Sequence, residues 1–253
     1  MYPSDLNDSE WNAIKEFFKR PDPRGRKSKY PKRDMVNAIL YVVKTGAQWH
    51  MLPNDFPPWN TVYYRFKHWS ERGIWEKALD FLNRWRRRKE GKKEEPTYGV
   101  IDSQSVKTIY ASEERGFHGG KKIKGRNRHV VTDTLGNLWH VKTHSAQASD
   151  TKAGCDVLRE VTEKLPSLEA FCADEGYRGT CVDYVEEELG RRMDIVKKEK
   201  GGFKPIPKRW VGERTFAWFG LSRRLSKDYE ILTERAENLI RIAMIKLQVA
   251  KVA

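Results

Sequence analysis

The sequence predicts a helical module over residues 1–90, a linker at 91–97 and a mixed α/β domain over 98–253 whose strands are partly joined by hairpins. Three observations predict it. Apolar residues recur at helical spacing as far as residue 89. The stretch Lys89–Pro96 (KEGKKEEP) is charged and has no apolar period. Beyond it the period shortens, and two alternating runs flank Leu135-Gly136-Asn137 as in a β-hairpin.

In the module, Ser4–Phe18 carries Leu6, Trp11, Ile14, Phe17 and Phe18 at helical spacing, and Pro21 and Pro23 stop that helix. Met35–Lys44 is a second helix, apolar on most faces, with Gly46 as its C-terminal stop. A loop holding Pro53, Pro57 and Pro58 leads to a helix at Trp59–Glu71 that Gly73 ends, and a fourth helix runs from Ile74 to about Arg88. In the second domain Tyr98–Ile101 is a short apolar strand, Arg128–Asp133 and Leu138–His144 form the hairpin, and Thr151–Leu165 is helical. Leu168–Ala173 is a buried strand, Cys181–Leu189 a helix and Met193–Val196 a strand, and two long helices finish the chain. In the first of these, helical angles place Arg209, Glu213, Gly220 and Arg224 in one stripe, with Lys227 close to it. Trp218, Leu221, Leu225 and Tyr229 form a separate apolar face.

Composition narrows the function classes. Lys and Arg number 49 against 35 Asp and Glu, a formal net charge of +14, so a polyanionic partner such as nucleic acid is expected beside the plainer reading of a generally basic surface. Three cysteines without CxxC spacing fit a reducing compartment, each thiol a small buried apolar group. The polar start MYPSDLNDSEW has no signal-peptide core, and the apolar run Ala38–Val43 is too short to span a bilayer, so a cytoplasmic protein is expected. The six histidines show no zinc spacing.

Two apolar strands end in an aspartate, at Asp102 (GVID) and at Asp174 (AFCAD). A carboxylate at the mouth of a buried strand is held rigidly, as metal coordination requires, although aspartates also end strands as ordinary turn residues. Neighbouring strands would open both carboxylates onto one edge. Glu213 supplies a third acid, at one end of a stripe whose other end is basic, a pattern also common in surface ion pairs. Together the three offer hard oxygen ligands that select Mg²⁺ or Mn²⁺, and a pair of such ions suits phosphodiester chemistry. Asp133 is expected in the hairpin turn, Asp150 as a helix N-cap, and Glu175 pointing away from Asp174.

These residues resemble the insertion-sequence transposases of the IS5 group, within the DDE transposase superfamily. The resemblance runs through nearly the whole chain: Tyr2-Pro3-Ser4-Asp5-Leu6, Gly46-Ala47-Gln48-Trp49-His50-Met51-Leu52-Pro53, Trp59-Asn60-Thr61-Val62-Tyr63-Tyr64-Arg65-Phe66, Ile101-Asp102-Ser103-Gln104-Ser105-Val106-Lys107, Ala173-Asp174-Glu175-Gly176-Tyr177-Arg178-Gly179 and Arg209-Trp210-Val211-Gly212-Glu213. It implies a ribonuclease-H-like catalytic core, Asp102, Asp174 and Glu213 as a triad for two Mg²⁺ ions with Mn²⁺ able to substitute, and work on the prokaryotic nucleoid. In the related pattern a tyrosine precedes the arginine by three residues and a lysine follows the glutamate by seven. Ile206 and Gly220 stand at those places here, and Arg224 or Lys227 is the expected substitute for the lysine.

The implied partner is double-stranded DNA, both element ends and target, held by a homodimer or larger assembly. The Trp59–Glu71 helix sets Asn60, Tyr63, Tyr64, Arg65, Lys67 and His68 beside an apolar face, as a helix-turn-helix reader would. The same pattern also fits the solvated face of a bundle. Arg24, Arg26, Lys27 and Lys29 form a basic segment able to track phosphates. Lys107, Lys121, Lys122, Lys124, Arg126 and Arg128 are placed as a clamp beside Asp102, with a charged hairpin edge as the plainer alternative. Arg178 and Arg209 complete the expected DNA contacts. The resemblance implies cutting at transposon ends and joining of the freed 3′-hydroxyl to target DNA. A transposase-derived DNA-binding regulator or a nuclease that does not transpose are the rivals.

Overall fold

The computed structural model describes residues 1–19, 28–196 and 210–252. Its helices are α1 (Asp8–Ile14), α2 (Lys32–Thr45), α3 (Trp59–Glu71), α4 (Ile74–Lys89), α5 (Asp150–Lys164), α6 (Thr180–Asp183), α7 (Trp210–Phe219) and α8 (Thr233–Val252). Its strands are β1 (Tyr98–Lys107), β2 (Gly116–His118), β3 (Ile123–Thr132), β4 (Leu138–Ser145), β5 (Ala170–Asp174) and β6 (Arg192–Val196). They belong to two compact units. One is Met1–Arg86 with Phe219–Ser226 and Asn238–Ala253, and the other is Arg87–Trp218 with Lys227–Glu237.

The first unit is helical. Asn7 accepts the Glu10 N–H at 2.8 Å while the Glu10 carboxylate accepts the Asn7 N–H at 2.9 Å, a reciprocal cap that starts α1 at Asp8, later than the Ser4 its apolar spacing suggests. A 3₁₀ turn, Lys15–Phe18, follows. Helix α2 ends at Gly46, whose φ of +74° is the left-handed conformation expected of a C-terminal stop. Leu6, Ile14, Phe18, Ile39, Val62, Phe66 and Trp75 are buried, and the Phe18 ring meets Trp69 and Trp75 at 4.7 and 5.2 Å between centroids. The far half of α8 belongs to this core: Lys246 donates to Glu10 at 2.8 Å and to the Asp5 carbonyl at 3.1 Å.

The second unit is built on a mixed, six-stranded sheet. Strand β3 pairs antiparallel with β1, β2 and β4, while β1 pairs parallel with β5 and β5 parallel with β6. Hairpin partners can be antiparallel with short turns, whereas parallel pairs need crossovers: the chain returns through α5 to lay β5 beside β1, and through the segment 175–191, with α6, to lay β6 beside β5. Asp133 closes the β3–β4 turn, accepting from the Leu135 and Asn137 amides at 2.9 and 3.0 Å, with Gly136 at φ +78°. Val157, Leu158 and Val161 of α5 pack on Ile101, Phe171 and Ala173, so one face of the sheet is dry. Strand β1 runs six residues past the Ile101 end that its apolar residues mark, because β3 continues to pair with it out to Lys107.

The long helix expected to carry both Glu213 and Arg224 is two pieces. Helix α7 stops at Phe219, a turn follows, and Arg223–Leu225 is a separate 3₁₀ turn. Gly220, which sets the break, is a poor helix residue. Cys172 and Cys181 are buried and Cys155 half-buried, and none of the three is in a disulfide. No helix of the described residues is long and apolar enough to cross a membrane.

Candidate active site and nucleic-acid interface

The parallel register of β1 and β5 pairs Val100 with Cys172. Two residues further along each strand stand Asp102 and Asp174, and a step of two returns a side chain to the same face. Ile101, Phe171 and Ala173 point into the α5 core. The two carboxylates therefore share the opposite face, Asp102 midway along β1 and Asp174 at the end of β5, above a narrow cleft lined by Val100, Ile101, Asp102, Cys172, Ala173 and Asp174. Each carboxylate is held by a backbone amide close after it. Asp102 accepts from the Ser103 amide at 2.8 Å, and Asp174 from the Gly176 amide at 2.9 Å.

Helix α7 comes down on this face. At Gly212 a β-carbon would stand 2.7 Å from Asp102 Oδ2 and 2.9 Å from its Cβ, so only a glycine lets the helix approach. Glu213 is the next residue, with an exposed side chain. Arg214 anchors the helix: its guanidinium lies between the rings of Trp210 and Trp218, at 4.8 and 4.9 Å, and donates to the Leu135 carbonyl at 3.0 Å. Among the described residues no three His, Cys, Asp or Glu side chains gather closely enough to hold a metal ion. The donors at the cleft are all carboxylate oxygens, which suit hard divalent cations.

The first turn of α5 ties the two acid-bearing segments together. Ser149, rather than Asp150, caps the helix, accepting from the Lys152 amide at 3.3 Å, because its hydroxyl occupies the extended cap position. Asp150 instead accepts from the Ser103 hydroxyl at 3.0 Å, one residue beyond Asp102. Thr151 donates to the Gly176 carbonyl at 3.1 Å, and it is the Gly176 amide that holds Asp174. Behind them Tyr177 is buried; burial raises its hydroxyl well above the ordinary tyrosine range, and the charges of Asp150, Asp102 and Asp174 add to this. His129 and His144 share a 2.6 Å contact, and burial pushes the His129 imidazole down to about 3, so it is neutral at pH 7.

The expected DNA-contacting residues divide sharply. Lys107, Lys121, Lys122 and Lys124 are exposed. Arg126 and Arg128 are buried, at 0% and 1% exposure, and point inward from β3, so they are not part of a surface clamp. Every residue of β3 from Gly125 onward is covered, which the basic run 121–128 conceals. Arg224 is also buried and donates to the Ala47 carbonyl at 3.3 Å, so it does not replace the family lysine on the Glu213 helix. Lys227 is exposed but lies beyond the end of that helix. Arg178 is exposed and paired with Glu175 at 2.7 Å. On α3, Asn60, Tyr64 and Lys67 are exposed, while Tyr63, Arg65 and His68 are half-buried, with Tyr63 against Trp49 at 5.2 Å. Lys29 is exposed. Arg24, Arg26, Lys27 and Arg209 lie outside the described residues.

Sequence reasoning passed over Gly212, Arg214, Ser103, Thr151 and Tyr177. Gly212 had a signal. A glycine inside a helix costs about 1 kcal/mol against alanine, so its presence there marks a close approach.

A mixed sheet with two aspartates on one face of neighbouring parallel strands, on a basic chain, is the setting of a DDE-type enzyme. The family model described as "Transposase DDE domain" matches residues 93–245, and the chain belongs to that family. Residues 6–79 match the model for transposases of the IS4/5 family. The chain is 25% identical over 117 residues to the insertion element IS402 uncharacterized 16.2 kDa protein of Burkholderia cepacia, covering 44% of this chain and 78% of that protein. It is 29% identical over 83 residues to the uncharacterized protein y4sN of Sinorhizobium fredii, covering 31% of this chain and 63% of that one. Among solved structures, a piggyBac transposase in a synaptic complex with hairpin DNA aligns with a TM-score of 0.37 at 10% identity, over 77% of this chain and 48% of that chain.

Proposed function

We propose that this transposase binds the terminal repeats of its own element, cuts the phosphodiester bonds at the ends and joins the freed 3′-hydroxyl to target DNA. The observation that carries the reading is the shared face of Asp102 and Asp174 on adjacent parallel strands, with Gly212 seating the Glu213 helix against Asp102. The strand pairing, four antiparallel-paired strands with two parallel additions, supports a ribonuclease-H-like catalytic domain over 98–253. The helices of 1–90 serve as a helix-turn-helix-like DNA-binding domain, with 91–97 as the linker. Asn60, Tyr64 and Lys67 are the exposed side chains of α3 through which a groove would be read.

In this reading Asp102, Asp174 and Glu213 would hold two Mg²⁺ ions, or Mn²⁺, with Glu213 supplied from the first turn of α7. The chemistry such a pair supplies when bound is polarisation of the scissile phosphate and stabilisation of the attacking and leaving oxygens. The protein's own part is positioning. Ser103 and Gly176 fix the two aspartates, Arg214 fixes α7, and exposed Lys107, Lys121, Lys122 and Lys124 neutralise DNA phosphates. Because both steps are in-line displacements at phosphorus, one site serves both and no covalent protein nucleophile is needed. Two ends cut and joined together call for a homodimer or larger assembly, on the nucleoid of a prokaryotic cytoplasm.

The test is cleavage of labelled DNA carrying the element's ends in Mg²⁺ or Mn²⁺. Asp102→Asn should lower the rate by about 10³-fold, the equivalent of several kcal/mol of lost charge stabilisation. Undiminished cutting by that variant would end the proposal. Asp150 acts one step back, through Ser103. Asp150→Ala should cost about 10- to 100-fold, the usual effect of removing a residue that orients a metal ligand. Asp150→Asn keeps an acceptor for the Ser103 hydroxyl and should recover most of the rate; two equally crippled variants would show that the hydrogen bond is not what matters.

A further inference from the structure

The buried Arg126 works as a bracket. Its Nε donates to the Glu113 carbonyl at 2.8 Å, Nη1 to Asp228 Oδ2 and the Glu230 carbonyl at 3.0 Å each, and Nη2 to the Ile231 carbonyl at 2.5 Å. These acceptors belong to two segments remote in the chain. Further bonds lace the segments together: the Ser112 hydroxyl to the Glu230 carbonyl at 3.1 Å, the Glu113 amide to the Ile231 carbonyl at 3.0 Å and the Asp228 amide to the Lys107 carbonyl at 2.9 Å. A parallel bridge pairs Thr108 with Asp228. Residues 107–118 and 227–233 are thus one surface, fixed from beneath.

That surface presents large apolar side chains, with the exposed acids Glu113, whose carboxylate is taken up by Thr233, and Glu114 beside them. Tyr110 is 86% exposed, Phe117 55% and Ile231 54%, with Tyr229 and Ile109 at 37% each. Large apolar side chains grouped on an otherwise charged surface mark a contact site. Lysines border them: Phe117 is the direct cross-strand partner of Lys124, Lys121 and Lys122 form the adjoining turn, and Lys107 and Lys227 begin the two laced segments. Lys122 sits at φ +51°, a left-handed conformation that a lysine adopts only where its surroundings hold it.

Exposed aromatic rings on a surface where five lysines, Lys107, Lys121, Lys122, Lys124 and Lys227, outnumber the two exposed acids Glu113 and Glu114 fit one chemistry closely, a strand of DNA whose bases are unstacked. Base faces lie on the rings while the lysines follow the phosphates. A paired duplex keeps its base faces covered, and a second copy of this chain would bring a like charge of +14 to a lysine-rich rim. We propose that Tyr110 and Phe117, on the platform held by Arg126, take up unpaired bases of the DNA being processed. The proposal rests on the reading of the chain as a DNA-processing transposase and adds the form of DNA that this surface recognises.

The test compares the full chain with the Tyr110→Ala/Phe117→Ala variant on a labelled single strand and on the same sequence as a duplex, by fluorescence anisotropy. A 2-aminopurine in the single strand reports stacking. Loss of two stacking rings should weaken single-strand binding by roughly tenfold or more, abolish the 2-aminopurine change and leave duplex binding within about twofold. Phe117→Trp, which keeps a ring, should retain the single-strand affinity. Unchanged single-strand binding, or an equal loss on both substrates, overturns the proposal. So does a variant that sediments as a smaller species with its DNA affinities intact, since the patch would then be a contact between copies. If the wild-type chain bound neither substrate, the DNA-processing reading itself would fall, a result distinct from all of these.

Discussion

Gly212→Ala should cost roughly 100-fold in cleavage at the element ends while the protein stays folded. The added methyl would sit 2.7 Å from Asp102 Oδ2 and 3.3 Å from its Cγ, so either the carboxylate turns away or α7 backs off the sheet. A displacement of about 1 Å in a reacting assembly is worth about 10²-fold. Stability moves far less. Alanine gains about 1 kcal/mol over glycine within a helix, and overpacking costs about 1–3 kcal/mol, so the two nearly offset each other. Measuring the cleavage rate beside the thermal midpoint separates them. A variant within about fivefold of wild type would show that the helix is not what sets the Asp102 carboxylate.

Asp228→Ala should lower the thermal midpoint by roughly 6–20 °C. The Arg126–Asp228 pair is at 3.0 Å with side-chain exposures of 0% and 1%. Removing the acid strands a guanidinium that cannot shed its charge, and breaking a buried pair in this way costs about 3–5 kcal/mol. In a chain of this size each kcal/mol is worth about 2–4 °C. Asp228→Asn, whose single carbonyl oxygen can still accept from Arg126 though no longer from the Glu230 amide as well, should lose less. Circular dichroism melting decides the matter, and a shift below about 2 °C for the alanine variant would mean the three backbone carbonyls hold Arg126 unaided.

The contrast between Lys124 and Arg126 shows where sequence reading stops. The two stand two residues apart in one basic run, and composition treats them alike. Lys124 is exposed in the middle of the short β2 pairing, whereas Arg126 lies where β3 is flanked on both sides by β1 and β4. A charge run carries no record of which strand becomes central. Arg224 is a similar case: extrapolating a helical stripe past Gly220 assumed that the helix continued, and it stops at Phe219. Asp150 was mistaken for a cap because Ser149 and Asp150 are both good capping types and only backbone geometry chooses between them.

Local patterning was enough for the helices α2, α3, α4 and α5, the hairpin around Gly136 and the strands ending at Asp102 and Asp174, since each depends on a period, a cap or a turn residue within about twenty positions. Family membership was likewise readable, from ordered motifs spread along the chain. Pairing was another matter. That β1 lies beside β5 in a register pairing Val100 with Cys172 and so puts Asp102 and Asp174 on one face, that Gly212 meets Asp102, and that Arg126 faces inward all depend on contacts between residues tens of positions apart. Such contacts are selected by burial and hydrogen-bond satisfaction over the whole sheet, quantities that no stretch of chain carries alone.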